Sequence, residues 1–216
     1  QQVLLSLIIL GVVSFVLFIP LLRYTLEDPQ MFAYRAFTRL GTTERDFPGS
    51  PVTIFFQNLW KSLVMFFYKN GNIWVHSVTD RPALDIVSAV FLLFGGLICL
   101  WRAIRQRSWV DAILLLSVPL FMLPSILSLA FPDENPSLNR SGAAIIPVFI
   151  IAAIGMETLF TGLLKGLKSL SGKAAAYGLI GLVLMGSILQ NHNLVFVQYK
   201  KQFDGGAWNT SQMGEV

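Results

Sequence analysis

The hydrophobic residues of this chain fall into five long blocks that are separated by more polar segments. Each block approaches the roughly 20 residues that an α-helix needs to cross the hydrocarbon layer of a bilayer. We therefore predict five membrane-spanning helices, at residues 3–22, 84–101, 109–130, 143–160 and 174–189. The last block is the shortest, and residues 190–197 are apolar enough to extend it.

The loop between the first two blocks, residues 23–83, contains two shorter segments with helical patterns. In the first, Asp28 is followed directly by Pro29. Aspartate is a preferred N-cap residue and proline suits the first helical position, so this pair predicts a surface helix at about 29–40.

The second segment, residues 51–68, is apolar enough to resemble a sixth span. Its polar residues nevertheless recur at a spacing that places them on one helical face. They are Gln57, Asn58, Lys61 and Ser62. We expect this face to form a single water-facing stripe, which favours an interfacial helix lying on the membrane surface over a sixth crossing.

The third and fifth blocks contain residues that bend membrane helices or let them approach closely. Pro119 and Pro124 each remove a backbone donor from the third block, so we expect a kink that serves either packing or the lining of a cavity. In the fifth block, Ala174 and Gly178 form a pair of small residues with the spacing typical of helix–helix contacts.

The short loops indicate an orientation, because their charges are all positive. The basic residues are Arg102, Arg105 and Arg107 after the second block and Lys165, Lys168 and Lys173 after the fourth. An excess of Lys and Arg marks cytoplasmic loops. Alternation then places residues 23–83, 131–142 and those from 190 onward on the exoplasmic side.

Composition agrees with this pattern. Hydrophobic residues make up 54% of the chain, charged residues only 13%, and the mean hydropathy is +0.63. These values predict an all-α integral membrane protein, multi-pass in the cell (inner or plasma) membrane, with the lipid bilayer as its main partner. The net charge of +4 is explained by the basic loops, so nucleic acid is not an expected partner.

The beginning of the sequence favours a particular domain organisation. Gln1 already lies inside a hydrophobic block and no initiator Met precedes it. We expect residues 1–216 to form a single membrane domain that is the C-terminal module of a longer polypeptide.

Several kinds of chemistry lack the residues that they need. Cys99 is the single cysteine, and His76 and His192 stand apart from any cluster with metal-ligand spacing. We therefore expect no metal site and no cofactor. No carboxylate lies in the middle of a span, which argues against a proton-coupled transporter.

Four polar residues near the predicted exoplasmic helix ends remain as candidates. For Asp80 and Asp85 the simplest role is helix capping, and for His76 it is a hydrogen bond within the loop. Arg140 differs from these, because the helix dipole disfavours a cation where a helix begins. We expect an anion beside it, either Asp133 or Glu134 or the phosphate of a ligand, since guanidinium fits phosphate well.

The order of several short motifs makes the chain resemble a known family. The motifs are Asn58-Leu59, Phe66-Phe67, Asn70-Gly71-Asn72, Trp74-x-His76, Arg81-Pro82-x-Leu84-Asp85, Phe91-Leu92-Leu93-x-Gly95, Pro119 with Pro124, Leu138-x-Arg140-x-Gly142, Pro147, Ala152-Ala153-x-Gly155-x-Glu157 and Tyr199. Together they resemble the C-terminal half of bacterial membrane glycosyltransferases of the GT-C class, in the branch of protein O-mannosyltransferases and the lipid A aminoarabinose transferase.

The resemblance implies part of an enzyme that moves a sugar from a polyprenyl-phosphate carrier to a hydroxyl group on the exoplasmic face. In that family the catalytic acid belongs to an N-terminal module that this sequence lacks, so the catalytic residue is not identified here. The resemblance implies that this segment supplies the carrier-phosphate side of the cavity. Arg140 is the leading phosphate ligand, and Arg81 and His76 are weaker candidates.

A second interpretation is a non-catalytic multi-span subunit of a larger membrane complex, of respiratory or photosynthetic type. The lack of a general acid and the glycines of the fifth block favour it. An acidic pair in a loop upstream would favour the transferase, whereas an initiator Met directly before Gln1 would favour the subunit.

Overall fold

The computed structural model describes residues 2–42 and 44–206. Helices make up 75% of it, with no strand in this part of the chain. The α-helices are α1 (Gln2–Glu27), α2 (Pro29–Leu40), α3 (Pro51–Val64), α4 (Ile86–Arg105), α5 (Trp109–Phe121), α6 (Leu123–Ile126), α7 (Ile145–Gly166), α8 (Leu170–Asn193) and α9 (Lys200–Gly206). Short 3₁₀ turns cover Pro132–Glu134 and Gly142–Ala144, and a π-helical stretch, Leu194–Tyr199, joins α8 to α9.

Five helical segments are long and apolar enough to cross a membrane, as the sequence predicted. They are Leu4–Glu27, Ile86–Arg105, Trp109–Ile126, Gly142–Gly166 and Leu170–Gly206. The prediction of an all-α membrane protein is therefore confirmed. The segment at 51–68 forms only the 14-residue helix α3, whose length of about 21 Å is short of the roughly 30 Å hydrocarbon layer.

The helices extend beyond the apolar blocks that predicted them. Helix α1 runs on to Glu27, where Arg23 and Glu27 form an ion pair one turn apart with 2.6 Å between Nε and Oε1. The final helix is longer still, because α8, the π-helical stretch and α9 continue without a break to Gly206. Hydrophobicity marks the part of a helix that lipid can surround, whereas backbone hydrogen bonding continues into polar sequence.

Helix α2 begins where the sequence predicted. The Asp28 side chain accepts a hydrogen bond from the Met31 N–H at 3.1 Å, and Pro29 occupies the first helical position. A cap of this kind typically stabilises a helix by about 1 kcal/mol.

The centre of the bundle is the crossing of α4 and α7, which make the most extensive contact between any two described helices. Gly95 of α4 lies directly against Gly155 of α7. A Cβ atom at Gly95 would collide with the carbonyl oxygen of Ile151, and one at Gly155 would collide with that of Phe91. The two backbones are in direct contact, which only glycine allows.

Helix α5 ends at Phe121, and the chain restarts as α6 after a break at Met122. Pro119 lies in the last turn of α5 and Pro124 in the first turn of α6, so the predicted kink is confirmed. Pro119 also lines an apolar groove of about 370 Å³ between α4, α5 and α7. The bent helix therefore contributes to a cavity wall as well as to packing.

The small residues of the fifth block do not have the role predicted for them. Ala174 and Gly178 are exposed, and a Cβ atom at Gly178 would meet no other atom within 4 Å. Helix α8 is largely exposed along its spanning part, as is α1. The close helix contact of this chain is made instead by Gly95 and Gly155.

Candidate functional site

The polar segments 65–85 and 127–144 pack against each other at one end of the bundle, which we call the loop end. Gly71 marks their closest approach. Its φ of +100° suits glycine, and a Cβ atom there would collide with the carbonyl oxygen of Pro136. The backbone N–H of Ala83 also donates to the Met65 carbonyl at 2.8 Å, which holds the start of α4 beside the end of α3.

A buried polar network fixes α3 to the loop end. The side-chain Oδ1 of Asn135 accepts hydrogen bonds from the hydroxyls of Ser62 at 3.1 Å and Ser125 at 2.5 Å, and its side-chain Nδ2 donates to the Asn58 backbone carbonyl at 3.0 Å. The Asn58 side chain in turn donates to the Ile126 carbonyl at 3.0 Å. Buried polar groups are costly unless they are paired in this way.

This network corrects the prediction of a water-facing stripe on α3. Gln57 and Lys61 are exposed as expected, but Asn58 and Ser62 are fully buried. The four polar residues do share one face of the helix, as predicted. Two of them, Asn58 and Ser62, face buried protein rather than water. Periodicity shows which residues share a face, but it does not show whether water or buried protein polar groups lie opposite.

Arg140 lies next to Glu134, with which it forms an ion pair. It also donates a hydrogen bond from Nη1 to the Ser128 hydroxyl at 3.0 Å. The sequence predicted that either a loop carboxylate or a ligand phosphate lies beside Arg140. The structure shows the carboxylate of Glu134 there.

A second arginine converges on the same carboxylate oxygen. Nη1 of Arg39, in the last turn of α2, lies 2.9 Å from Oε2 of Glu134, the atom that Arg140 also contacts. The Arg39 guanidinium stacks over the Phe131 ring, 4.0 Å from its centroid. Sequence reasoning missed Arg39, because nothing in the spacing of residues 39 and 140 indicates that they meet.

The arginine cluster, which we define as Arg39, Arg45, Arg140, Asp133 and Glu134, has an excess of positive charge. Arg45 pairs with Asp133, with 3.3 Å between Nη1 and Oδ2. Three guanidinium groups therefore face two carboxylates, which leaves one net positive charge. The Arg39, Arg140 and Glu134 side chains are between a quarter and a third exposed, so solvent reaches the cluster.

The pKa of Glu134 is lowered from its ordinary value of 4.5. Burial acts in the opposite direction and raises it, but hydrogen bonds from Arg140 and Arg39, together with their charges, outweigh burial. Glu134 therefore remains a carboxylate at neutral pH and holds the two guanidinium groups in place.

Arg81 and His76 do not join the arginine cluster. Arg81 is half-buried, and burial lowers the pKa of its guanidinium while the charge of Asp85 acts against that shift. The Arg81 N–H donates to the side-chain Oδ1 of Asn70 at 3.4 Å, and the Asn70 backbone N–H donates to the Arg81 carbonyl at 2.8 Å. Across residues 2–42 and 44–206 the Arg81 side chain makes no hydrogen bond.

His76 lies on the exposed surface of the loop. Its backbone N–H donates to the Ile73 carbonyl at 3.2 Å, and no hydrogen bond to its imidazole is present among the described residues. The side-chain hydrogen bond predicted for His76 is therefore not found among the described residues, and only its backbone is bonded within the loop.

The extension of the last helix holds this loop against the bundle. The Gln202 amide group donates to the carbonyls of Trp74 at 2.9 Å and Ser77 at 2.8 Å, and its oxygen accepts from the Thr79 N–H at 3.3 Å. The Tyr199 hydroxyl donates to the Val75 carbonyl at 2.6 Å. Two side chains of the final helical segment thus bind four backbone groups between residues 74 and 79 of the loop.

Asp85 is an N-cap, as predicted. Its carboxylate accepts from the N–H and hydroxyl of Ser88, at 3.0 and 2.6 Å, and from Ser187 and Asn191 of α8, at 3.0 and 3.1 Å. Burial raises the pKa of Asp85, but these hydrogen bonds outweigh it, so the pKa lies below its ordinary value. Asp85 therefore also joins α4 to α8.

The capping role predicted for Asp80 is wrong. Asp80 has a φ of +57° within the loop and pairs with Lys69, with 3.1 Å between its Oδ1 and the lysine Nζ. The helix that follows in sequence begins at Ile86 and is capped by Asp85.

Two cavities open at the loop end. One, of about 320 Å³, is lined mainly by apolar side chains, together with Asp85, Ser88, Ser141, Ser187 and Asn191. The other, of about 530 Å³, lies between the outer face of α3, the loop around Asn72 and the segment that follows Asp133. Among the described residues, no three His, Cys, Asp or Glu side chains gather where they could hold a metal ion.

No family model matches the chain, and neither a curated protein nor a solved structure is significantly similar to it.

Proposed function

We propose that the chain is part of a polyprenyl-phosphate-sugar-dependent glycosyltransferase that acts on the exoplasmic face, and that its loop end contributes the carrier-phosphate side of the cavity. The observation that carries this proposal is the convergence of Arg39 and Arg140 on one carboxylate oxygen at an end of the helix bundle. Polyprenyl phosphate holds its charge at the membrane surface, so a phosphate site must combine cations with a location beside the spanning helices.

The guanidinium groups retain donors for a ligand. Each guanidinium has five N–H bonds. The described contacts use one donor of Arg39, to Glu134, and two of Arg140, to Ser128 and Glu134. The remaining donors, together with the net positive charge of the cluster, suit an oxyanion that accepts several charge-assisted hydrogen bonds.

Preorganisation lets these arginines stabilise the charge that develops on a leaving phosphate. When a sugar leaves its carrier, negative charge develops on the phosphate, and cations already in place stabilise that charge without reorganising. Glu134 and the Phe131 ring hold the Arg39 guanidinium in a fixed plane. The acid that deprotonates or orients the acceptor is not assigned to any residue of this chain.

The test is carrier binding by the full-length protein in lipid nanodiscs, with polyprenyl phosphate as the probe. We expect Arg140→Ala and Arg39→Ala each to weaken binding at least tenfold, and Arg140→Lys to recover part of it, because lysine restores charge but not bidentate geometry. Arg105→Ala, at the opposite end of α4, is the matched control and should bind normally. Unchanged binding by both cluster variants, each shown to be folded, would remove the phosphate role.

The second candidate is a non-catalytic subunit of a larger membrane complex. The pairing of Arg140 with Glu134 favours it, because an arginine neutralised by its own loop needs no ligand. The exposed surface of α1 also favours it, since other helices could cover that surface.

The substitution Glu134→Gln separates the two functions. In a phosphate site, the substitution removes the negative charge that competes with the ligand but keeps a side-chain oxygen that can accept from the arginines, so polyprenyl-phosphate binding should strengthen several-fold. In a purely structural cluster, the same substitution should lower stability and produce no binding.

A further inference from the structure

The larger cavity at the loop end has the composition of a ligand site. Its volume of about 530 Å³ falls within the ~300–1,000 Å³ typical of small-molecule pockets. We call it the α3 cleft, and its lining includes Trp60, Lys61, Tyr68, Asn72, Asp80 and Asp133.

The charged side chains that line the α3 cleft are Lys61, Lys69, Asp80 and Asp133, which sum to no net charge. Both carboxylates are paired, because Lys69 binds Asp80 at 3.1 Å and Arg45, from outside the lining, binds Asp133 at 3.3 Å. Lys61 makes no ion pair among the described residues. A polyanion or a metal ion would need one sign of charge in excess, which this cleft does not provide. Donors paired with neighbouring acceptors suit a neutral ligand with many hydroxyl groups, each of which donates and accepts.

Two aromatic rings complete this arrangement. Trp60 is 68% exposed and Tyr68 is 64% exposed, although both line a concave surface. The faces of such rings carry partial negative charge, which attracts the weakly positive C–H face of a sugar ring. Exposed aromatic rings next to paired charged groups therefore suit a saccharide, whose C–H groups can contact the rings while its hydroxyl groups bond to the polar side chains.

The α3 cleft adjoins the arginine cluster through one short segment. Asp133 lines the cleft, the next residue Glu134 binds Arg39 and Arg140, and Asn135 anchors the segment in the buried network. A sugar in the cleft and a phosphate at the arginines would thus lie on two sides of the same turn.

We infer that the α3 cleft binds a neutral saccharide, with Trp60 and Tyr68 contacting the ring and the Lys69–Asp80 pair contacting its hydroxyl groups. This inference extends the proposed function. It rests on that function only in assigning where the sugar comes from. Two sources share this chemistry: the sugar of a polyprenyl-phosphate carrier and the glycan of an acceptor.

The experiment measures saccharide binding to the full-length protein in lipid nanodiscs, by saturation-transfer NMR and calorimetry. The probes are methyl glycosides of neutral hexoses and N-acetylhexosamines, and polyprenyl phosphate with and without an attached sugar. We expect saturable binding of at least one glycoside, at least tenfold weaker in Trp60→Ala and several-fold weaker in Asp80→Asn. Trp109→Ala is the matched control, because Trp109 is 72% exposed at the opposite end of the bundle.

The probes distinguish the two sugar sources. A free glycoside that binds without displacing the carrier indicates an acceptor glycan. Binding that appears only when the sugar is attached to the carrier, and that Trp60→Ala removes, indicates the donor sugar.

The inference is overturned if the wild-type protein binds none of the sugar probes, or if Trp60→Ala and Asp80→Asn bind them as well as the wild type does. It is also overturned if Trp60→Ala changes only the association with lipid, as for an interfacial anchor. Failure of the cleft is separable from failure of the phosphate site, because Arg140→Ala should leave free-glycoside binding unchanged while weakening polyprenyl-phosphate binding.

Discussion

The two ends of the helix bundle use arginine in different ways. At the end that carries residues 106–108 and 167–169, Arg105 and Arg107 are exposed, and no ion pair involves them within the described chain. At the loop end, Arg39 and Arg140 share one carboxylate oxygen and are largely enclosed. The same residue type is therefore a solvated charge at one end and part of a fixed arrangement at the other.

The difference shows how to recognise a site in a membrane protein that is rich in positive charge. Basic residues that mark orientation need only lie on the correct side of the membrane, so they need no partner. Basic residues that bind a ligand must be held in place, which requires carboxylates, hydroxyls and rings around them. Four experiments test this contrast.

The largest effect is expected from the network that supports the loop end. Asn135→Ala removes the acceptor for Ser62 and Ser125 and the donor to the Asn58 carbonyl, all of them buried. We expect a loss of about 3 kcal/mol in the free energy of unfolding, since each buried group left unpaired costs about 1–3 kcal/mol. Denaturant unfolding in detergent measures it.

The matched control is Ser169→Ala at the opposite end, where the Ser169 hydroxyl caps α8 by accepting from the Gly172 N–H at 3.0 Å. Its loss should cost about 1 kcal/mol. Equal losses of unfolding free energy for Asn135→Ala and Ser169→Ala would contradict the expectation that buried polar contacts stabilise the loop end more than the opposite end.

The second effect concerns the arginines themselves. Arg140→Ala leaves Ser128 and one side of Glu134 without a donor, and we expect a loss of about 1 kcal/mol, a value reduced for partial exposure. Arg105→Ala should change stability by less than about 0.5 kcal/mol. A comparable loss for both would show that the two ends do not differ.

The third effect is a dependence of stability on pH. The folded pKa of Glu134 lies below its ordinary value, so its contribution is fully present above pH 4.5 and is lost as the pH falls through the folded value. Thermal unfolding between about pH 3 and 7 brackets the ordinary Glu pKa. Over this range, acid should lower the stability of Glu134→Gln by less than it lowers that of the wild type. If the wild type and Glu134→Gln lose the same stability as the pH falls, the predicted contribution of Glu134 is contradicted.

The smallest effect on stability is expected from single-cysteine substitutions. Their labelling measures directly which end of the bundle faces the exoplasmic side. Asn72→Cys and Lys168→Cys replace exposed residues at opposite ends, in a background that lacks Cys99. Membrane-impermeant maleimide should label Asn72→Cys from the exoplasmic side and Lys168→Cys only after permeabilisation. Labelling of both from one side would contradict the proposed orientation.

Much of the fold could be predicted from local sequence. The five apolar blocks, the Asp28 cap and the proline break after Phe121 each depend on neighbours along the chain, and periodicity and propensity report on neighbours. The candidate site was harder to predict. Arg140 was identified because a cation at a helix start needs an anion, but Arg39 could not be, since its role depends on a contact across 95 residues.

The polar face of α3 shows the same limit. Its spacing was evident, yet Asn58 and Ser62 face Asn135 and the end of α6 rather than water. The glycines show it again, because Gly95 and Gly178 look alike in sequence and only one of them meets another backbone.

The sequence by itself determined that this protein is a bundle of apolar helices with basic loops at one end and polar loops at the other. Hydrophobic length and charge act through the solvent, so they need no knowledge of the fold. Only the tertiary structure decided that Arg39 joins Arg140 at Glu134, that Asn135 holds α3, and that a balanced, aromatic cleft lies beside them. These depend on contacts between distant segments, whose geometry is set by packing of the whole chain.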